Sequence, residues 1–139
     1  MKITAFHHIC IQTENYRASL HFYVDLLGFN VIKETANFHT RDYNTWLQAH
    51  GMMIELQTPK RGTHFNQWSK LNSGPVHLAF TVDNVEEAYW FLKQKGHNDF
   101  KIKNGQEIYT VKGGSLFKVK APEGTEIEIR GNEPILFPR

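Results

Sequence analysis

At 139 residues the chain is long enough for one compact domain or two small fused modules, and too short for a larger assembly of domains. Hydrophobic residues at 40% and charged residues at 22% are an ordinary globular balance. The formal charge of +2, with no basic run longer than Lys60-Arg61, gives no grounds for a nucleic-acid or anionic-membrane partner.

The elements follow in chain order. Residues 6–12, Phe-His-His-Ile-Cys-Ile-Gln, alternate apolar with other residues and predict a strand with one buried face. Residues 13–16 form a break able to cap a helix, and Leu20, Tyr23, Val24 and Leu27 then keep helical spacing over 16–27. Gly28 stands where a helix C-terminus wants a residue tolerant of positive φ. Strands are expected at Phe29–Glu34, Asn44–His50 and Met52–Thr58. Residues 59–74, with Gly62, Ser73 and Gly74, read as a linker in which Phe65, Trp68 and Leu71 form a short packed helical turn.

The plan then repeats. Residues 76–82, Val-His-Leu-Ala-Phe-Thr-Val, predict a second strand of the first kind. Asp83-Asn84 is a capping signal, with Glu87 three residues after Asn84. Val85, Ala88, Phe91 and Leu92 form the apolar stripe of a helix that Gly96 closes. Strands are expected at Phe100–Lys103, Ser115–Lys120 and Thr125–Arg130. From His8 to Gly28 is 20 residues and from His77 to Gly96 is 19, which argues for an internal duplication. The expected architecture is one domain over 1–131, made of βαβββ modules at 5–58 and 75–130, with an irregular tail at 132–139.

Strand side chains alternate between faces with period two. His8, Cys10 and Gln12 therefore oppose Ile9 and Ile11, and Met53, Glu55 and Gln57 oppose Ile54 and Leu56. In the second module His77, Ala79 and Thr81 oppose Leu78 and Phe80, while Glu126, Glu128 and Arg130 oppose Ile127 and Ile129. Each module thus offers one His on its first strand and one Glu on its last, away from the face its helix covers. Two imidazoles and two carboxylates suit a divalent Ni, Zn, Co, Mn or Fe ion without choosing among them. A lone polar strand residue ordinarily faces solvent; four at matching places in a repeated unit favour a shared metal.

These residues resemble the vicinal oxygen chelate superfamily and, within it, the glyoxalase I branch. His8-Ile9-Cys10-Ile11-Gln12-Thr13, with Ser19, Phe22-Tyr23 and Leu27-Gly28-Phe29, is similar to that family's opening motif. Ile54-Glu55-Leu56, Gly74-Pro75-Val76-His77-Leu78-Ala79-Phe80 and Pro122-Glu123-Gly124-Thr125-Glu126-Ile127-Glu128-Ile129 resemble its later signatures, so the likeness covers residues 5–130. The resemblance implies an α+β fold in which two tandem βαβββ modules form a cupped, half-barrel mixed sheet. It implies the metal ligands His8, Glu55, His77 and Glu128. The His-Glu-His-Glu order looks like bacterial glyoxalase I (lactoylglutathione lyase). Extradiol dioxygenase members lack the Glu55 carboxylate, methylmalonyl-CoA epimerase members carry Gln there, and bleomycin-binding members lack the metal set. Gln12 stands where glutathione-using members carry Arg, so glutathione is not assigned as co-substrate and no other cofactor-binding residue is named.

The expected activity is a metal-dependent lyase or isomerase that moves a proton between adjacent carbons of a chelated carbonyl substrate through an enediolate. Glu128 is the first choice of base and Glu55 the second. The alternatives are a methylmalonyl-CoA epimerase-like epimerase and a metal-free drug- or metabolite-binding resistance protein. The expected partners are a small-molecule substrate and, on resemblance, a second copy in a homodimer. One cysteine excludes an intramolecular disulfide and, without a signal peptide or bilayer-spanning segment, makes the cytoplasm the expected location. Core packing is expected for Trp46, Trp68 and Trp90, and for His7 on the apolar side. Arg41 and Lys112 are the candidates for holding an anionic substrate group.

Overall fold

The computed structural model describes residues 1–112 and 114–133; Gly113 and most of the tail called irregular above lie outside them. The chain divides into two compact units, Met1–Trp68 and Ser69–Arg139. Each is α+β, built on an open, four-stranded mixed sheet.

In the first unit β1 (Ile9–Gln12) leads into α1 (Tyr16–His21), which continues as one π-helical turn over Phe22–Leu26. Three strands follow: β2 (Asn30–Phe38), β3 (Arg41–Ala49) and β4 (Met52–Gln57), in the spatial order β1-β4-β3-β2. β1 runs parallel to β4 and the remaining pairs are antiparallel. The alternation read from sequence holds where it matters. Ile11, Leu47, Ile54 and Leu56 are buried with Phe22, Tyr23 and Phe29. β1 is shorter than the expected 6–12, and His7 is exposed rather than apolar-facing, with its Nδ1 2.7 Å from Nδ1 of His8.

Across residues 59–74 the expected helical turn is absent, and Leu71 is 90% exposed. The amide of Thr63 donates to the Lys60 carbonyl at 3.0 Å, and the amide of Phe65 donates to Glu14 Oε1 at 2.9 Å.

The second unit repeats the topology with β5 (His77–Thr81), α2 (Val85–Gln94), β6 (Tyr109–Val111), β7 (Gly114–Lys120) and β8 (Glu126–Arg130), ordered β5-β8-β7-β6. Asn84 caps α2, its side chain accepting from the Glu87 amide at 3.0 Å. Gly96, at φ +81°, lets the amide of His97 reach the Leu92 carbonyl and its own amide reach that of Lys93, a paired C-terminal closure. Tyr89 and Leu92 of α2 are buried with Phe100, Phe117, Val119, Ile127 and Ile129.

Phe100–Lys103 is not the expected strand; it makes only isolated bridges, Phe100 to Val119 and Lys103 to Gln106. The cause is Asn104-Gly105. Both residues take left-handed φ, +51° and +77°, and the flanking Lys103 and Gln106 exchange both backbone hydrogen bonds. That two-residue hairpin turns the chain early, and the strand beside β7 forms later, at Tyr109–Val111.

Candidate metal centre

The helix-free face of the first unit carries a His–Glu pair. His8 immediately precedes β1 and Glu55 lies mid-β4, and the parallel register of the two strands, Cys10 against Glu55, keeps them together. His8 Nε2 is 3.6 Å from Glu55 Oε1. Trp46 on β3, directly opposite Glu55, sets its ring edge-to-face on the imidazole of His8 at 4.8 Å between centroids. Trp46 and Trp68 are half-buried and Trp90 is 57% exposed, so none of the three is the core residue expected. At Trp46 the reason is its face: it lines the His8–Glu55 side, opposite Leu47 and Thr45.

Cys10 shares that face and is exposed, yet desolvation of its sulfur and then the neighbouring Glu55 carboxylate push the thiol up to about 11. A raised thiol pKa means less of the reactive thiolate. Alkylation of Cys10 by iodoacetamide at pH 8 should therefore run about a hundredfold slower than that of a free thiol, and Glu55→Gln should speed it. Equal rates for protein and free thiol would contradict the assignment.

The second unit carries the matching pair in a charged setting. His77 on β5 has Nε2 3.9 Å from Glu128 Oε1 and Nδ1 3.8 Å from Glu126 Oε1. Lys118, opposite Glu128 across the β7·β8 pair, lies 3.3 Å from Glu126 Oε1 and 3.9 Å from Glu128 Oε1. Arg130 Nη1 is 3.6 Å from Glu128 Oε2. Glu126 and Glu128 are both buried, at 6% and 7% exposed, and each has a cation beside it. Tyr109 borders the group. Desolvation raises its phenol pKa, Lys118 opposes the rise, and Glu126 and Glu128 add to it.

The sequence reading put Glu126 on the Glu128 face but missed Trp46 and Lys118 as members of these faces' aromatic and charged lining. Of its two anion-binding candidates, Arg41 is committed to the Thr58 carbonyl at 2.7 Å and Lys112 adjoins an undescribed residue.

The donor chemistry fits a divalent ion. Neighbouring ligands on one first-row ion, at about 2.1 Å each, stand about 3–3.5 Å apart. The His–Glu separations of 3.6 and 3.9 Å need only a few tenths of an ångström of closure. Among the described residues no group of three or more His, Cys, Asp or Glu is set to hold a metal. Each unit offers a pair.

The family model described as Glyoxalase/Bleomycin resistance protein/Dioxygenase superfamily matches residues 5–129. Uncharacterized protein YwkD of Bacillus subtilis (strain 168) is 37% identical over 101 residues, which cover 69% of this chain and 75% of that protein. The solved glyoxalase family protein from Enterococcus faecalis is similar at a TM-score of 0.73 and 26% identity, over 94% of this chain and 99% of that one. Lactoylglutathione lyase from Agrobacterium tumefaciens is similar at 0.66 and 14% identity, over 95% and 96% of the two chains, a likeness of fold alone. Among the described residues no helix is long and apolar enough to cross a membrane.

Proposed function

The chain belongs to the glyoxalase/bleomycin resistance protein/dioxygenase superfamily, and on that premise we propose that it is a metal-dependent lyase or isomerase of the glyoxalase I type. One divalent ion is held by His8, Glu55, His77 and Glu128. The observation that carries this reading is the matched pair in each unit: a ring Nε2 facing a glutamate Oε1 at 3.6 Å in one and 3.9 Å in the other. When bound, the ion supplies Lewis acidity, drawing electron density from a substrate carbonyl so that the adjacent C–H becomes acidic.

The chain's own groups then move the proton. The Glu128 carboxylate takes it from the carbon beside the carbonyl and returns it to the neighbouring carbon, a net isomerisation that consumes no other reactant. Glu55 is the second choice for the same task. Lys118 and Arg130 balance the charge around Glu128, and the burial of that carboxylate keeps water from dispersing it. The substrate is a small carbonyl compound; the protein works as a homodimer in the cytoplasm.

Elemental analysis of the purified protein tests the metal directly: about one ion per site is expected, with His77→Ala weakening its retention by an order of magnitude or more. Assay of metal-loaded protein on methylglyoxal, with and without glutathione, and on acyl-CoA epimers then identifies the substrate class. A second reading is favoured by Lys118 and Arg130, which already neutralise Glu126 and Glu128. It is a metal-free binding protein that sequesters a drug or metabolite. Metal-free protein that binds such a compound, with no turnover after metal loading, would establish it instead.

A further inference from the structure

The duplicated plan sets one residue of the neighbouring strand against each carboxylate. Across β3·β4 it is Trp46 against Glu55, and across β7·β8 it is Lys118 against Glu128. The two places match and the chemistry differs. Lys118 turns its ammonium to the glutamate it faces, 3.9 Å from Oε1. Trp46 has no charge to offer Glu55, and its ring goes to the histidine of the pair instead. It stands 4.8 Å from His8 between centroids, with the planes at 79°. That is an edge-to-face arrangement of the kind aromatic rings prefer.

His8 has a need that His77 does not. His77 is the first residue of β5 and is paired across the sheet with Glu126, so the strand ladder holds its backbone. His8 stands one residue before β1, whose register against β4 begins at Ile9 with Ile54. Residues 1–7 before it are exposed. A histidine at such a strand end can place its ring in several staggered rotamers, and only some of them aim Nε2 at Glu55. Two rings lie against it. His7, at 4.9 Å, is itself exposed. Trp46 is half-buried in a nine-residue strand paired on both sides.

We infer that Trp46 is a positioning residue for His8, its indole fixing the imidazole plane so that Nε2 stays toward Glu55, 3.6 Å from Oε1. An indole does this without competing for the ion, because its one polar group is an N–H donor with no lone pair to offer a cation. A rigid strand thus holds, through one ring contact, a side chain that the ladder does not reach. That the directed nitrogen serves a metal rests on the reading above. The orientation of the ring is a property of the metal-free chain, and the two are separable by experiment.

The test is NMR of metal-free protein, reading the His8 χ1 rotamer from three-bond couplings and the ring-current shifts of its carbon-bound ring protons, together with Zn²⁺ affinity by chelator competition. In the wild type His8 should hold one rotamer and carry ring-current shifts from the indole. Trp46→Phe keeps an aromatic edge at the same strand position and should retain the rotamer and the affinity. Trp46→Leu should let the His8 couplings average and bind Zn²⁺ about 3- to 10-fold more weakly. A Trp46→Leu protein with one His8 rotamer and wild-type affinity would overturn the inference. Averaged His8 couplings in the wild type would overturn it too, a readout that stands even where the variant does not fold. Zn²⁺ affinity no better in the wild type than in His8→Ala would instead refute the metal centre, while the couplings still decide what Trp46 does.

Discussion

Glu128→Gln should lower turnover of the true substrate by about 10²- to 10⁴-fold, the usual contribution of a positioned proton-transfer group. Glutamine nearly preserves the volume and keeps an oxygen toward His77, but it cannot take a proton at the working pH. The buried setting sharpens the effect. Glu128 has Arg130 on one oxygen and His77 and Lys118 near the other, and replacing its charge leaves those groups partly unbalanced. Rates should be compared at saturating metal, with metal content measured on the same samples, because the substitution also removes an anionic donor. Near-wild-type turnover with metal bound would assign the base elsewhere, Glu55 first. Glu55→Gln should then carry the larger loss, and Cys10 would report that change through faster alkylation.

The strand faces that carry this candidate site were legible in the sequence because strand alternation is a local property. His8, Glu55, His77 and Glu128 were separable from Ile9, Ile54, Leu78 and Ile127 by parity alone, and the duplicated plan made their agreement informative. Groups contributed by neighbouring strands were harder, since they depend on register. Trp46 faces Glu55 because a two-residue turn at His50-Gly51 pairs Ala49 with Met52, and each step back along one strand advances along the other. The tight turn after Ala121 likewise pairs Lys120 with Glu126 and Lys118 with Glu128. Counting outward from those Gly-containing turns would have found both residues.

Other departures had weaker signals. Asn104-Gly105 is a recognisable hairpin dipeptide, and it moved the third element of the second unit from Phe100–Lys103 to Tyr109–Val111. The π-helical turn at Phe22–Leu26 has no signature in apolar spacing. It shows in the backbone, where the Leu27 amide bonds the Phe22 carbonyl five residues back. At residues 59–74 the expected helical turn is absent and the Phe65 amide donates to Glu14, fifty-one positions earlier, a pairing no local pattern reaches.

Phe117→Ala should destabilise the second unit by about 3–5 kcal/mol, a large share of the roughly 5–15 kcal/mol typical of a folded protein. Phe117 is fully buried on the apolar face of β7, with its ring 5.9 Å from Tyr89 and 5.5 Å from Phe100 between centroids. Three interlocked aromatic rings leave little room for collapse, so the truncation keeps most of its cavity. Leu71→Ala, at a site 90% exposed, should stay within about 0.5 kcal/mol and serves as the control. Urea unfolding followed by near-UV circular dichroism gives both values. The consequence reaches the opposite face. Phe117 pairs with Ile129, and the adjoining pair is Lys118 with Glu128, so the packing that holds this strand pair also holds the carboxylate assigned as base. At temperatures where the variant is still folded, its metal affinity should fall along with its stability. A Phe117→Ala protein that loses less than about 1 kcal/mol would mean that the apolar face does not hold β7 against β8. The placement of Glu128 would then depend on its charge pairs alone.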